Sequence, residues 1–309
     1  MQGEILEFQV TPTQAGERLD KFLSAACPGY SRSFIQKLAK EGRVLVNQKE
    51  QKVNYKVSGN DHVQAIIPPV KELEVHPEQI PLDILYEDDS LLIVNKPKGM
   101  VVHPSAGHES GTLVNAVLYH CKESLSGING IMRPGIVHRI DQDTTGALVV
   151  CKNDNAHLKI AEQMKAHSVT RRYFGIVKGV VKQDIGTVEG DIGRHPIDRK
   201  KMAVNVANGK HAVTHYKVLQ RFSEHTYVEF ELETGRTHQI RVHMASIGHP
   251  LLGDEVYGNG KSLWKLQGQT LHAATIGFIH PATGNYLEVT APLPEYFASL
   301  LSQLSHNRT

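Results

Sequence analysis

Cysteine is scarce in this chain: three in 309 residues, Cys27, Cys121 and Cys151, far apart and without a Cys-x-x-Cys pair. That excludes a disulfide scaffold and a zinc ribbon, and it fits a reducing cytoplasm. No apolar run approaches the ~18 residues a membrane helix needs, so no membrane partner is expected. The opening residues, Met1-Gln2-Gly3-Glu4, lack the basic and apolar regions of a signal peptide. There is no internal repeat and no low-complexity stretch. Nor is there an excess of charge, since 34 Lys and Arg face 32 Asp and Glu for a net charge of +2. Total charge therefore names no partner, and only its distribution can. What is present is globular in character: 40% hydrophobic, 21% charged, with a mean hydropathy of −0.29. At roughly 100–200 residues per domain, the length predicts two domains.

The charge is unevenly placed. From Glu17 to Asp61, nine cations face five anions, a net charge of +4. From Lys71 to Ser90, seven anions face Lys71 alone, a net charge of −6. Pro68, Pro69 and Pro77 accompany the change of sign. Proline lacks an amide donor and stiffens a connector, which predicts a linker over 68–82 between a front domain, 1–67, and a main domain, 83–309. In the front domain, Leu19, Phe22, Leu23 and Ala26 recur at helical spacing. Ser31 is a candidate N-cap for a second helix that Gly42 ends. Arg43–Asn47 and His62–Ile67 read as strands, with a turn at Gly59-Asn60-Asp61. Arg32, Lys37 and Lys40 would share the polar side of the second helix and could face phosphates; taken alone, the same pattern is a solvated surface.

Beyond the linker, strands are predicted at Leu91–Asn95, Ala147–Cys151, Tyr173–Lys178, Ala212–Leu219 and Tyr227–Leu232. Helices are predicted at Thr112–Cys121, Asn155–Ala166 and Thr237–Ile247. The two types do not alternate strictly, which argues against a parallel βαβ array. The residues from Ser302 onward read as a frayed end.

Three polar clusters stand out. The first is Arg133-Pro-Gly-Ile-Val-His138-Arg139-Ile140-Asp141-Gln-Asp143-Thr-Thr-Gly146, followed at once by the apolar Ala147–Cys151. A polar loop set against a buried strand holds its side chains firmly, as a site requires, although a hydrogen-bonded turn would look similar. The second runs Glu233-Thr-Gly235-Arg236-Thr237-His238-Gln-Ile-Arg241. Here Gly235 allows a tight turn and Thr237 is a candidate helix cap. Arg241 then falls in the first turn, where the helix dipole disfavours a cation, so a compensating anion is expected. The third is Arg171-Arg172-Tyr173-Phe174, which could hold a phosphate and stack a base, or could be an edge-strand pair.

Three lookalikes carry less weight. Asp141-x-Asp143-x-Thr145 imitates the nucleophile loop of magnesium-dependent aspartate phosphotransferases, but no hydrophobic strand precedes it and no convincing acidic pair follows. Gly258–Ser262 suggests a phosphate loop, yet Glu255 stands where its first glycine belongs. His238 and His243 are five apart rather than four, without the glutamate of a zinc-binding helix, and no metal ligand set is predicted.

Across these clusters the chain resembles the RluA-type family of RNA pseudouridine synthases, nearest to the branch that modifies large-subunit ribosomal RNA. The resemblance runs in order through Glu87–Pro97, Val102-His-Pro104, Gly111–Asn115, Arg133–Asp141, Thr234–Arg241, Gly253-Asp254, Tyr257-Gly258, Leu271-His-Ala273 and His280-Pro281. Residues 16–67 resemble the small RNA-binding domain named after ribosomal small-subunit protein four, through Arg18-Leu-Asp, Ser31-Arg-Ser and Gly42–Asn47. Ile140 and Thr145 replace a more usual leucine and serine, and Phe174-Gly175 is unusual after the tyrosine. The resemblance implies an α+β fold, with a mixed, largely antiparallel sheet behind a small N-terminal α/β RNA-binding domain. It makes Asp141 the catalytic aspartate, Tyr173 the active-site tyrosine and Arg241 the arginine beside the aspartate. Arg139 would enter the RNA stack where the target base leaves. His138, Arg236, His238, Arg32, Lys37 and Arg43 are expected at the RNA.

The implied reaction breaks a uracil N–C bond, turns the base and rejoins it through carbon. It needs no ATP and transfers no electrons, so no cofactor is expected. A carboxylate acts as nucleophile or base only when ionised, and a neighbouring guanidinium favours that form. The expected partner is large-subunit (23S) ribosomal RNA or its precursor particle, met by a cytoplasmic monomer. The competing readings are an RNA-binding ribosome-assembly factor without catalysis and the phosphotransferase.

Overall fold

The computed structural model describes residues 4–27, 30, 32–67, 75–105, 107–122, 124–128, 134–199, 201–258, 264 and 266–306. The chain forms two compact units, Met1–Leu73 and Glu74–Thr309. Among the described residues, no helix is long and apolar enough to cross a membrane. Ser31, Pro68, Pro69, Arg133 and most of the Gly258–Ser262 segment lie outside the described residues.

The first unit runs β1 (Glu4–Gln9), a 3-10 turn at Pro12–Gln14, α1 (Leu19–Ala26), α2 (Arg32–Lys40), β2 (Val44–Val46), β3 (Lys49–Glu50) and β4 (His62–Ile67). Its sheet is antiparallel throughout, in the order β1-β4-β2-β3. Alternate residues of a strand face opposite sides, so Val63, Ala65 and Ile67 of β4 face a core shared with Leu19, Phe22 and Leu23 of α1 and Ile35 and Leu38 of α2. Gly42, at φ +70°, follows α2 and donates its N–H to the Ala39 carbonyl. No sequence signal marked β1, because as an edge strand it is largely exposed and buries no alternating apolar set.

The second unit contains β5 (Ile84–Glu87), β6 (Leu91–Lys96), α3 (Leu113–Cys121), β7 (Thr145–Cys151), α4 (Asp154–Lys165), β8 (Thr170–Lys178), β9 (Ile185–Arg194), β10 (Met202–Val204), β11 (Lys210–Arg221), β12 (His225–Leu232), α5 (Gln239–Ser246), β13 (Leu271–Ile279), β14 (Tyr286–Thr290) and α6 (Glu295–His306). The strands join in the order β10-β9-β11-β12-β8-β13-β7-β6-β5, with β14 on β13. Every named pairing is antiparallel except a short parallel contact of β13 with β7. Strands β6 and β7 read as unbroken apolar runs because both their faces are covered. Leu92, Val94, Leu148 and Val150 pack with Leu113, Val114 and Val117 of α3. Leu91, Ile93, Ala147 and Val149 pack with Ala156 and Ile160 of α4. The burial of β13 is equally complete, but Gly277, His272 and its threonines hid it from a reading by periodicity.

Three expectations need correction. The linker residues 75–82 belong to the second unit: Val75 is buried in its core, Asn115 Nδ2 donates to the His76 carbonyl, and the Glu78 carboxylate accepts the Gly111 N–H. Residues 302–306 are not frayed, since α6 runs to His306 and buries Phe297, Leu300 and Leu304 at helical spacing. Thr237 does not cap α5: the cap position is His238, in a left-handed conformation at φ 56°. Instead the Gln239 amide oxygen accepts from the Arg236 N–H and the Thr234 hydroxyl, closing the turn from inside the helix.

Candidate active site

The loop before β7 and the first turn of α5 meet over the start of β8. They enclose a cleft of about 560 Å³ lined by His138, Arg139, Asp141, Arg171, Tyr173, Arg236, His238 and Arg241, among others. Asp141 and Arg241, a hundred residues apart, form an ion pair in which Arg241 Nη1 donates to Asp141 Oδ2 over 2.9 Å. The compensating anion expected for Arg241 is therefore present, and there are two. Arg241 Nε and Nη2 also donate to Asp254 Oδ2 and Oδ1, at 2.6 and 3.0 Å. Asp254 is buried, and its Oδ1 accepts the N–H groups of Val256 and Tyr257 as well. Burial opposes the charge on Arg241, but the Asp254 and Asp141 carboxylates outweigh it and hold its pKa above the ordinary arginine value.

The Asp141 loop is fixed from below by Lys96. This lysine is fully buried, and its ammonium donates to the carbonyls of Pro97, Met100 and Gln142, each at 2.8 Å. Burial brings its pKa down to about 7, against the pull of Asp143 and Asp141. Asp143 itself is shifted upward by burial, with Lys98 and Lys96 opposing. Both carboxylates of the Asp-x-Asp stretch are thus answered by side-chain cations. Tyr173 is buried on β8, between Phe230 of β12 and Ala273 of β13. Desolvation lifts its phenol above the ordinary value; Arg171 works against that shift and Asp141 with it.

The remaining predicted residues divide into two groups. Arg139 is exposed on the cleft, and Arg236 anchors its Nε on the His211 carbonyl. His238 bonds the Tyr257 hydroxyl through Nδ1 at 2.9 Å, with Nε2 3.9 Å from Asp141. His138 is committed inward, its Nε2 accepting the Val149 N–H at 3.0 Å. Burial and then the Arg171 guanidinium push its pKa down to about 3, so it lines the wall as a neutral ring. In the first unit, Arg32 is half exposed and pairs with the buried Asp20, whereas Lys37 and Arg43 flank Glu41 at 3.8 and 3.6 Å. None of these three belongs to the cleft.

Asp254 and Lys96 were not singled out from the sequence as site residues. The signal for the first was the anion that Arg241 required. The second had none, because a lysine held by three carbonyls is legible only in three dimensions. Gly235, expected to allow a tight turn, also permits a close approach: a Cβ there would lie 2.7 Å from Arg171 Nη1. Among the described residues, Glu87, His120 and Cys121 could bring three metal ligands within 4.8 Å of one another. They lie outside the cleft, and Glu87 is already paired with Lys152.

The chain is similar to known proteins over most of its length. The family described as RNA pseudouridylate synthase matches residues 90–246, and the S4 domain matches 17–63. A Bacillus subtilis (strain 168) protein named "Uncharacterized RNA pseudouridine synthase YlyB" is 50% identical over 98% of this chain and 99% of its own. The protein of Zymomonas mobilis named ribosomal large subunit pseudouridine synthase D is 45% identical over 96% of this chain and 97% of its own. Its namesake in Pseudomonas aeruginosa is 44% identical, over 95% and 93%. Among solved structures, human RNA pseudouridylate synthase domain containing 4 aligns with a TM-score of 0.55 at 26% identity, covering 72% of this chain and 92% of that one. The chain belongs to the RNA pseudouridylate synthase family, carries an S4 domain in front, and is an isomerase acting on RNA.

Proposed function

We propose that the protein converts uridines of large-subunit ribosomal RNA to pseudouridine, with Asp141 as the reacting carboxylate. The observation that carries this reading is the Asp141–Arg241 pair in a cleft shared with Tyr173. The names of the relatives support the choice of RNA. A uridine leaves its stack at a cost of a few kcal/mol, and Arg139, exposed on the cleft, offsets that cost by filling the gap. The uracil ring lies against Tyr173, whose high phenol pKa suits a neutral hydroxyl that can relay the proton from carbon five. Asp141, oriented by Arg241, supplies the charged oxygen that the glycosidic carbon or the ring requires. The S4 domain adds phosphate affinity with little base selectivity, and an RNA-modifying role of this kind fits the cytoplasm.

Tritium release from RNA labelled at uridine carbon five tests the chemistry. Wild type should release label, and Asp141→Ala should fall to background. Equal release by both would remove Asp141 from the reaction. Mapping of pseudouridines in ribosomal RNA from cells lacking the protein tests the substrate, and an unchanged large-subunit map would reject it.

A further inference from the structure

Arg171 is a buried cation in the cleft wall with no anion of its own among the described residues. It sits on β8 two residues before Tyr173, so both side chains leave the same face of the strand. Its side chain is more than nine-tenths buried. Among the described residues no carboxylate lies within salt-bridge distance of it, and its partners are the Glu233 carbonyl at 2.8 Å and the Leu232 carbonyl at 3.4 Å. Its Nε is buried without a hydrogen-bond acceptor among the described residues. Arg241, also lining the cleft, is by contrast answered by two carboxylates. A guanidinium kept from water without a counter-charge is costly to maintain, and such a group persists where a ligand completes it. The chain also makes room for it, because Gly235 leaves vacant the place where any side chain would meet Arg171 Nη1 at 2.7 Å. Lys165 and His167, which precede β8, line the same cleft.

We propose that Arg171 is the phosphate receptor of the cleft, its guanidinium taking a phosphodiester beside the uridine that enters against Tyr173. The inference rests on the reading of the cleft as a uridine site. The phosphodiester is the anionic group of RNA, and with Nη2 held by the two carbonyls Arg171 offers it Nη1 and Nε as donors. The contact gives the nucleotide a second anchor besides the Asp141–Arg241 pair. It needs no base-specific hydrogen bond, so it positions the nucleotide without selecting the sequence around it.

The test is a double-mutant cycle on the full chain. The probes are the trinucleotide UpUpU and its two analogues that each carry one uncharged methylphosphonate linkage. For wild type, one neutral linkage should weaken binding about tenfold, the scale of a missing charge-assisted hydrogen bond. For Arg171→Gln, the same linkage should change binding less than about twofold. Arg171→Lys should restore part of the discrimination. Gly235→Ala, which displaces the guanidinium without removing its charge, should weaken discrimination while circular dichroism and melting stay native. Equal, independent losses for linkage and residue would overturn the receptor, as would the absence of saturable binding by wild type. If ApApA bound as well as UpUpU while the cycle held, the uridine reading would fail and the receptor would stand.

Discussion

Arg241 holds two carboxylates on one guanidinium, and they do different work. Asp254 uses the Nε edge and is itself pinned by two backbone amides, which fixes the plane of the guanidinium. Asp141 takes the remaining Nη1 and faces the cleft. In Asp254→Ala, one partner of a buried ion pair is missing, so unfolding free energy in urea should drop by about 3–5 kcal/mol. Asp254→Asn keeps the shape but loosens the fork, and kcat should fall by roughly a hundredfold, since small displacements of a catalytic group cost that much. An unchanged kcat would mean that Asp254 does not orient Arg241. Asp20 makes a second residue-scale prediction. The Arg18 hydrogen bond, opposed by burial and aided by Gln36 and Arg32, brings its carboxyl from the ordinary 3.8 down to about 2. A depressed carboxyl stabilises the folded state above its unfolded pKa, and the effect disappears as pH falls through the folded one. On the order of 2 kcal/mol should therefore be lost from the first unit between about pH 4 and pH 2. Asp20→Asn should lack that acid step in a tryptophan-independent probe such as circular dichroism.

The elements that build the cleft differ in how they announce themselves. The apolar runs of β6 and β7 and the spacing of α3 and α4 are local patterns, and their predicted bounds lie within a few residues of the observed ones. Strand β1 is exposed and β13 is buried on both faces, so neither shows a period to count, whereas α6 carries helical spacing at Phe297, Leu300 and Leu304. Helix α6 provides the direct check. Leu304 lies in one apolar cluster with Phe297 and Leu300, alongside Ile176 of β8. Leu304→Ala should cost about 2–5 kcal/mol in urea unfolding, the range for a buried leucine. A loose tail would show less than about 0.5 kcal/mol. The short α5 illustrates the opposite case: with His238 left-handed at its start, its opening turn depends on Gln239, whose amide also reaches Val213 and Thr214 on β11.

For the whole molecule, the question is how the basic front unit contributes to RNA binding. Its cations are partly engaged within the unit, as Arg32 with Asp20 and Lys37 with Glu41 show. Lys37 remains largely exposed beside Lys40 in the last turn of α2. Neutralising both to glutamine in the full chain should flatten the slope of log affinity against log salt. The change should be about 0.7 for each phosphate of single-stranded RNA that the helix no longer neutralises. A slope unchanged from wild type would show that this helix face does not meet RNA. The chain's division near residue 70, the apolar strand that follows the Asp141 loop and the three polar clusters were legible in the sequence. Charge runs, apolar periods and turn residues are local, and neighbours along the chain suffice to express them. Only the tertiary structure decided that β13 inserts between β7 and β8, that Asp254 joins Arg241, that Lys96 holds the loop of Asp141 by its carbonyls, and that Arg171 has no carboxylate partner among the described residues. Those interactions join residues tens to hundreds of positions apart, and their energies depend on distance and burial, which no local pattern specifies.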